Sequence, residues 1–154
     1  MSPTQASADR IEKKVLLHAP RERVWRALTD AAEFGAWFRA KLDGPFVVGK
    51  RVRGRVTYPG YEHLTFDVQI ERIEPERLFS LRWHPAPVDP AVDYSKEPTT
   101  LVEFRLEETP EGTWLSVVES GFERIPAGRR DEAFRMNSEG WGIQMENVRQ
   151  HVGG

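Results

Sequence analysis

The sequence predicts an α+β fold in which a curved antiparallel sheet of about six to seven strands is covered by one long C-terminal helix. Three observations carry this. Segments of alternating apolar and polar residues recur through the middle of the chain, separated by Gly/Pro turn signals. The spacing then becomes helical from about Arg129 to Val152. Two shorter helical segments follow the first strand, so strands and helices are segregated rather than interleaved. With 154 residues, the chain is long enough to bury a substantial core without covalent staples.

Taken in order, "IEKKVLLH" (Ile11 to His18) reads as the first strand. Pro20 fits the first turn of the next element, where its missing N–H is harmless, and Val24, Trp25 and Leu28 recur at helical spacing. Asp30 and Glu33 have the spacing of a capping box for a second short helix ending near Trp37. "RVRGRVTY" and "LTFDVQIE" then alternate about the turn "PGYEH". A symmetric hairpin sets Arg55 opposite Asp67 and Arg51 opposite Glu71, pairs typically worth a few tenths to about 1 kcal/mol each. "RLFSLRWH" is the next strand, and "TLVEFRLEE" with "WLSVVESGF" forms the last hairpin around "TPEGT". Between them, "PAPVDPAVDYSKEP" has four prolines and is too proline-rich for strand or helix. A connection of that length is usually functional or disordered. It reads either as a lid with Tyr94 as its aromatic contact or as a surface excursion.

On the C-terminal helix, Phe134, Trp141, Met145, Val148 and Val152 form one stripe, with Asn137 and Ser138 filling its gap. Gly140 and Gly142 flank Trp141, and each costs a helix interior about 1 kcal/mol relative to alanine. Gly140 is expected to permit close approach of the helix to the sheet. Gly142 points about 100° away from Trp141 and does not follow from that argument.

Several functional classes lose support at once. The formal net charge is −2, which does not suggest a nucleic-acid partner. The cluster "KRVRGR" places its arginines on the outer sheet face, opposite acidic residues. With no cysteine, disulfides and thiol chemistry are excluded, which fits a cytoplasmic protein. No apolar run approaches the roughly 20 residues of a membrane helix. Residues 1–10 lack the apolar centre of a signal peptide and read as a disordered lead-in to a domain over residues 11–152. His18, His63, His84 and His151 show no metal-ligand spacing, and there is no G-x-S-x-G elbow, P-loop or dinucleotide fingerprint. No metal or cofactor is expected.

Glu119 is the position with most chemical promise. If Leu115 and Val117 face the helix, Glu119 does too, and burial there raises a carboxyl's pKa. The alternative is a structural pairing with Arg82 or Arg135. The register itself stays open, because Trp114 and Val118 make the opposite face almost as apolar.

Six segments together resemble a known family: "APRERVWRALTD", Trp37-Phe38, Pro45 to Gly49, Ile73 to Arg77, "VVESGF" at Val117 to Phe122, and Asn137 to Trp141. The last two at this separation are the most specific. The sequence is similar to the helix-grip START/Bet v-like superfamily and, within it, to the bacterial family named for the activator of the heat-shock protein 90 ATPase. The resemblance implies a sheet wrapped around the C-terminal helix with a cavity between them. It places Trp37, Phe38, Phe46, Phe66, Trp83, His84, Phe104, Val117, Glu119, Phe122, Trp141 and Met145 about that cavity. Superfamily members bind lipids, steroids and polyketides, and some are cyclases, so fold does not settle function. The expectation is a cytoplasmic module holding a small, mostly apolar ligand. The alternatives are an enzyme using Glu119 as acid or base, and a chaperone-associated protein. The last is weakest, since this chain lacks the additional domain of the eukaryotic activator. A homodimer is compatible with exposed strand edges.

Overall fold

The computed structural model describes residues 10–87 and 91–153. The expected lead-in, apart from Arg10, and the centre of the proline-rich connection lie outside the described residues. The elements are β1 (Arg10–Leu17), α1 (Arg21–Thr29), α2 (Ala31–Phe38), β2 (Ala40–Leu42), β3 (Arg51–Val56), β4 (Thr65–Glu74), β5 (Leu78–Trp83), β6 (Thr100–Thr109), β7 (Gly112–Ser120) and α3 (Ala127–Val152). The strands form one seven-stranded antiparallel sheet in the order β1-β7-β6-β5-β4-β3-β2. The first strand thus pairs with the last, and α1 and α2 lie on the chain between one edge of the sheet and the other.

The alternating pattern decides which face is covered. Val68 and Ile70 of β4, Phe79 and Leu81 of β5, Val102 and Phe104 of β6, and Leu115 and Val117 of β7 all point into one core with Val24, Leu28, Phe34, Trp141 and Val148. The outer face carries the charges. β3 and β4 are offset by two residues from the symmetric hairpin: Arg53 faces Asp67, Arg51 faces Gln69 and Arg55 faces Thr65. The longer β3–β4 connection, which includes Leu64, shifts the register. Arg51 still reaches Asp67 diagonally at 2.6 Å, with Arg53 on the same carboxylate at 3.5 Å. Gly54 is required here: a Cβ on it would lie 2.2 Å from the Lys41 carbonyl oxygen of neighbouring β2.

Helix boundaries follow local chemistry. Pro20 sits one residue before α1, as its N-cap. Asp30 caps α2, its carboxylate accepting from the backbone N–H groups of Ala32 and Glu33 at 3.0 and 3.1 Å. The reciprocal arm of the expected capping box is absent. The Glu33 carboxylate instead binds Arg23 at 2.6 Å, Arg26 at 3.0 Å and His151 at 3.0 Å, tying α1 and α2 to the end of α3. Burial works upward on the Glu33 pKa, but the hydrogen bonds from His151, Arg23 and Arg26 outweigh it and hold the carboxyl below its ordinary range. α3 ends at Gly153, whose φ of 93° suits the left-handed cap. No helix among the described residues is long and apolar enough to cross a membrane.

Candidate ligand-binding site

A cavity of about 630 Å³ lies between the sheet and α3. Its walls come from the β3–β4 connection (Tyr58, Tyr61, His63, Leu64), the end of β5 (Trp83) with His84 beyond it, and the β5–β6 connection (Ala86, Pro87, Val92, Tyr94, Ser95). α3 supplies Met136, Asn137, Glu139, Gly140, Ile143 and Gln144, and the Arg51–Asp67 ion pair also contributes. Besides the three tyrosines, Phe38, Phe66 and Trp83 line it, packed on one another at centroid separations of 5.3 to 6.4 Å.

The proline-rich connection therefore meets the cavity through its described residues. Arg129, on the first turn of α3, holds it there. Its guanidinium lies 4.6 Å from the centre of the Tyr94 ring and 2.7 Å from the Glu97 carboxylate. His84 Nε2 lies 3.1 Å from the Glu97 carbonyl oxygen.

Of the twelve residues anticipated from sequence, Phe38, Phe66, Trp83 and His84 line this cavity. Trp37, Phe46, Phe104, Val117, Glu119, Phe122, Trp141 and Met145 do not; all eight are buried in the filled part of the interior. Trp37 is pinned by its indole N–H to the Ala27 carbonyl at 2.8 Å. Phe46 packs on Phe34 and Phe79, Phe104 on Phe79 and Trp141, and Phe122 on Phe134. These rings fill space rather than enclose it.

Gly140 needs a different account from the expected one. A Cβ there would meet nothing within 4 Å, so no backbone approach demands the glycine. Gly140 lines the cavity, and the missing side chain is part of the empty volume. Gly142 also meets nothing, and nothing in the structure explains it.

Glu119 faces the helix, is 0% exposed, and is bound by four groups. The indole N–H of Trp141 donates to Oε1 at 2.8 Å and that of Trp83 to Oε2 at 2.8 Å. The Thr100 hydroxyl donates to Oε2 at 2.6 Å. The Asn137 amide nitrogen spans both oxygens at 3.0 and 3.1 Å. Neither Arg82 nor Arg135 is among these partners, and Arg82 pairs with Glu71. Burial pushes the Glu119 pKa above its ordinary value, against the opposing pull of Thr100, Trp83, Trp141 and Asn137. Glu119 thus lies one layer behind the cavity. Trp83 and Asn137 separate it from the open space, and both are fixed by it.

Sequence reasoning passed over the α3 cavity residues. Met136, Gly140 and Ile143 do recur at helical spacing, which is a usable signal, but a glycine and intervening polar residues break it up. Tyr61 lies in the segment that reads as a turn, and Tyr58 and Leu64 end the strands read on either side of it.

Comparison with known structures supports the architecture. Protein MLL2253 from Mesorhizobium loti is 26% identical, with a TM-score of 0.73 over 93% of this chain and 96% of that one. Protein CV1439 from Chromobacterium violaceum is 20% identical, with a TM-score of 0.72 over 95% and 98%. The Aha1 dimer from Colwellia psychrerythraea, solved in solution, is 16% identical, with a TM-score of 0.70 over 93% and 95%. The latter two likenesses concern the fold alone. A search of curated proteins found no significant match. The model of one family matches residues 18–153, nearly the whole length, and the chain belongs to that family, described as activator of Hsp90 ATPase homolog 1-like protein.

Proposed function

We propose that this protein binds one small, mostly apolar ligand in the cavity between the sheet and α3. One observation carries the reading. The described residues include five large hydrophobic side chains that are exposed, and three of them, Tyr61, Val92 and Ile143, line this cavity. Exposed apolar surface gathered about a concavity is the signature of a binding site rather than of random surface composition. The volume of 630 Å³ lies within the roughly 300–1,000 Å³ typical of small-molecule sites. Affinity would come from burying ring surface against Phe38, Phe66 and Trp83, at about 25 cal/mol per Å².

Binding is favoured over acid–base catalysis because a catalytic carboxyl must reach its substrate. Both oxygens of Glu119 are already occupied, and two of its partners stand between it and the cavity. A cytoplasmic location and a homodimer are compatible with this role. The Colwellia relative is a dimer, and sedimentation velocity would test the same state here. A chaperone partner is no part of the proposal.

Native mass spectrometry of freshly purified protein, compared with its denatured mass, tests the reading. A discrete extra mass lost on denaturation is the expected result. A bare native mass, together with no tryptophan quenching by polycyclic aromatic probes, would overturn it.

A further inference from the structure

The cavity has one polar group on its wall whose orientation is dictated from behind. Asn137 sits within the buried stripe of α3, between Ala133 and Trp141, and also lines the cavity. Its amide nitrogen is committed to Glu119, at 3.0 Å from one carboxyl oxygen and 3.1 Å from the other. The amide cannot turn round without loss. The Trp83 and Trp141 indoles can only donate, and each already occupies one carboxyl oxygen. A reversed amide would set Oδ1 against both oxygens of Glu119. When Glu119 carries a proton, the Thr100 hydroxyl at 2.6 Å is able to accept it. The nitrogen of Asn137 therefore faces the ionised Glu119, and the neutral carboxyl has Thr100 as an acceptor for its proton without any reversal of the amide.

The amide oxygen is left over. Among the described residues, the buried side-chain oxygen without a hydrogen bond is Ser80 Oγ, and Arg129 Nη2, which makes no hydrogen bond of good geometry, still lies 2.7 Å from the Glu97 carboxylate. Asn137 Oδ1 is not such an atom, nor does it have a bonded partner among the described residues. It is open, on a residue that lines the cavity. The neighbouring amide on the same wall has a protein partner at both ends: Gln144 donates to the Phe38 carbonyl at 3.1 Å and accepts from Asn147 at 3.1 Å.

We infer that Asn137 Oδ1 is the hydrogen-bond acceptor that selects the ligand, and that the ligand is a ring compound carrying a hydroxyl or N–H donor. This rests on the binding role proposed above. Trp83 and Asn137 are both held by Glu119, so the aromatic surface and the acceptor are placed together by one buried group. A ligand hydroxyl would meet Oδ1 while its rings cover Phe38, Phe66 and Trp83. An acceptor-only ligand of the same shape would bury Oδ1 without a partner, which is penalised more heavily than a hydrogen bond is rewarded.

The test titrates the folded full-length chain with three matched probes, hydroxypyrene, methoxypyrene and pyrene carbaldehyde, read by tryptophan quenching and calorimetry. The hydroxyl probe should bind about tenfold more tightly than its methyl ether. In Asn137→Leu that contrast should fall to within about twofold. Equal affinities for all three probes in the unsubstituted protein would overturn the inference and leave the binding role standing. Tighter binding of the aldehyde would overturn it too, by showing that the amide nitrogen faces the cavity. A hydroxyl preference surviving in a folded Asn137→Leu protein would assign the acceptor elsewhere and overturn it. Failure of every probe to bind would instead remove the binding role on which the inference rests. If Asn137→Leu does not fold, the side-chain amide of the unsubstituted protein decides. Its N–H2 resonances should exchange slowly with solvent and stay so when hydroxypyrene binds. Fast exchange would overturn the assignment.

Discussion

One helix presents two faces to the same sheet, and they are built differently. Ala133, Trp141, Met145 and Val148 form the first face, all buried. Met136, Gly140 and Ile143 form the second, about 120° away at 100° per residue, and they line the open cavity. The first face is large, apolar and continuous with the aromatic interior. The second has a glycine at its centre and a half-exposed isoleucine at its rim. Asn137 belongs by angle to the first face, yet it both bonds the buried carboxyl and adjoins the cavity. The two faces divide the work of one helix between holding the fold and leaving room in it.

Truncation on the filled face should have the largest effect. Trp141 stacks on Trp83 at 5.7 Å, packs on Phe104 at 5.6 Å and donates to Glu119. Trp141→Ala should cost about 3–5 kcal/mol from the lost burial and the space left behind, read as a lower urea midpoint with an unchanged slope. A loss under about 1 kcal/mol would show that the two faces do not differ in the way described.

Glu119 ranks next, because it serves both faces. Glu119→Gln puts an N–H2 where one carboxyl oxygen accepted, leaving one indole donor unpaired at a cost of about 1–3 kcal/mol at acid pH. Its pH dependence has a definite sign. The folded pKa is raised above the unfolded value of about 4.3, so between the two the native state binds more protons than the unfolded one. Stability from this group is thus fully present below about pH 4.3 and is lost as pH rises through the folded value. The difference between the parent and Glu119→Gln should shrink over that window. Glu33 has the opposite sign: its pKa is lowered, and its contribution is lost as pH falls. A parent-minus-variant difference that grows with rising pH would refute the assignment for Glu119.

The contrast between the two faces also explains what the sequence disclosed. Six of the seven strands and the long helix were legible because alternation and helical spacing report burial directly, whereas the three-residue β2 carries too little alternation to read and the apolar Trp114 and Val118 left the orientation of Glu119 open. Trp141 was readable for the same reason. A cavity is defined by side chains that do not fill space, and periodicity has no symbol for those. Phe104, Phe122 and Trp37 look the same in sequence whether they enclose a void or fill it, and here they fill it. The β3–β4 register was misjudged by two residues because a symmetric hairpin gives no weight to the longer connection. The half-formed capping box at Asp30 failed on a long-range effect. Glu33 was drawn away by Arg23, Arg26 and His151, the last of them 118 positions distant.

The smallest change in stability, and the sharpest division between the faces, belongs to Gly140. Its helical backbone accepts any L residue without strain, and a Cβ there has nothing within 4 Å. Gly140→Ala should therefore stabilise the protein by about 0.5–1 kcal/mol through helix propensity alone. A glycine that lowers stability and serves no packing contact needs another reason to be there, and the volume it leaves in the cavity is one. Gly140→Phe should then keep the gain in folding stability, or most of it, while lowering the affinity of ring-shaped probes by at least about tenfold, because the new ring occupies the space they need. The two readouts move in opposite directions only if the cavity is the place where ligand binds. Loss of stability together with affinity would mean that Gly140 belongs to the packed face after all, and an unchanged affinity would mean that the probes bind elsewhere.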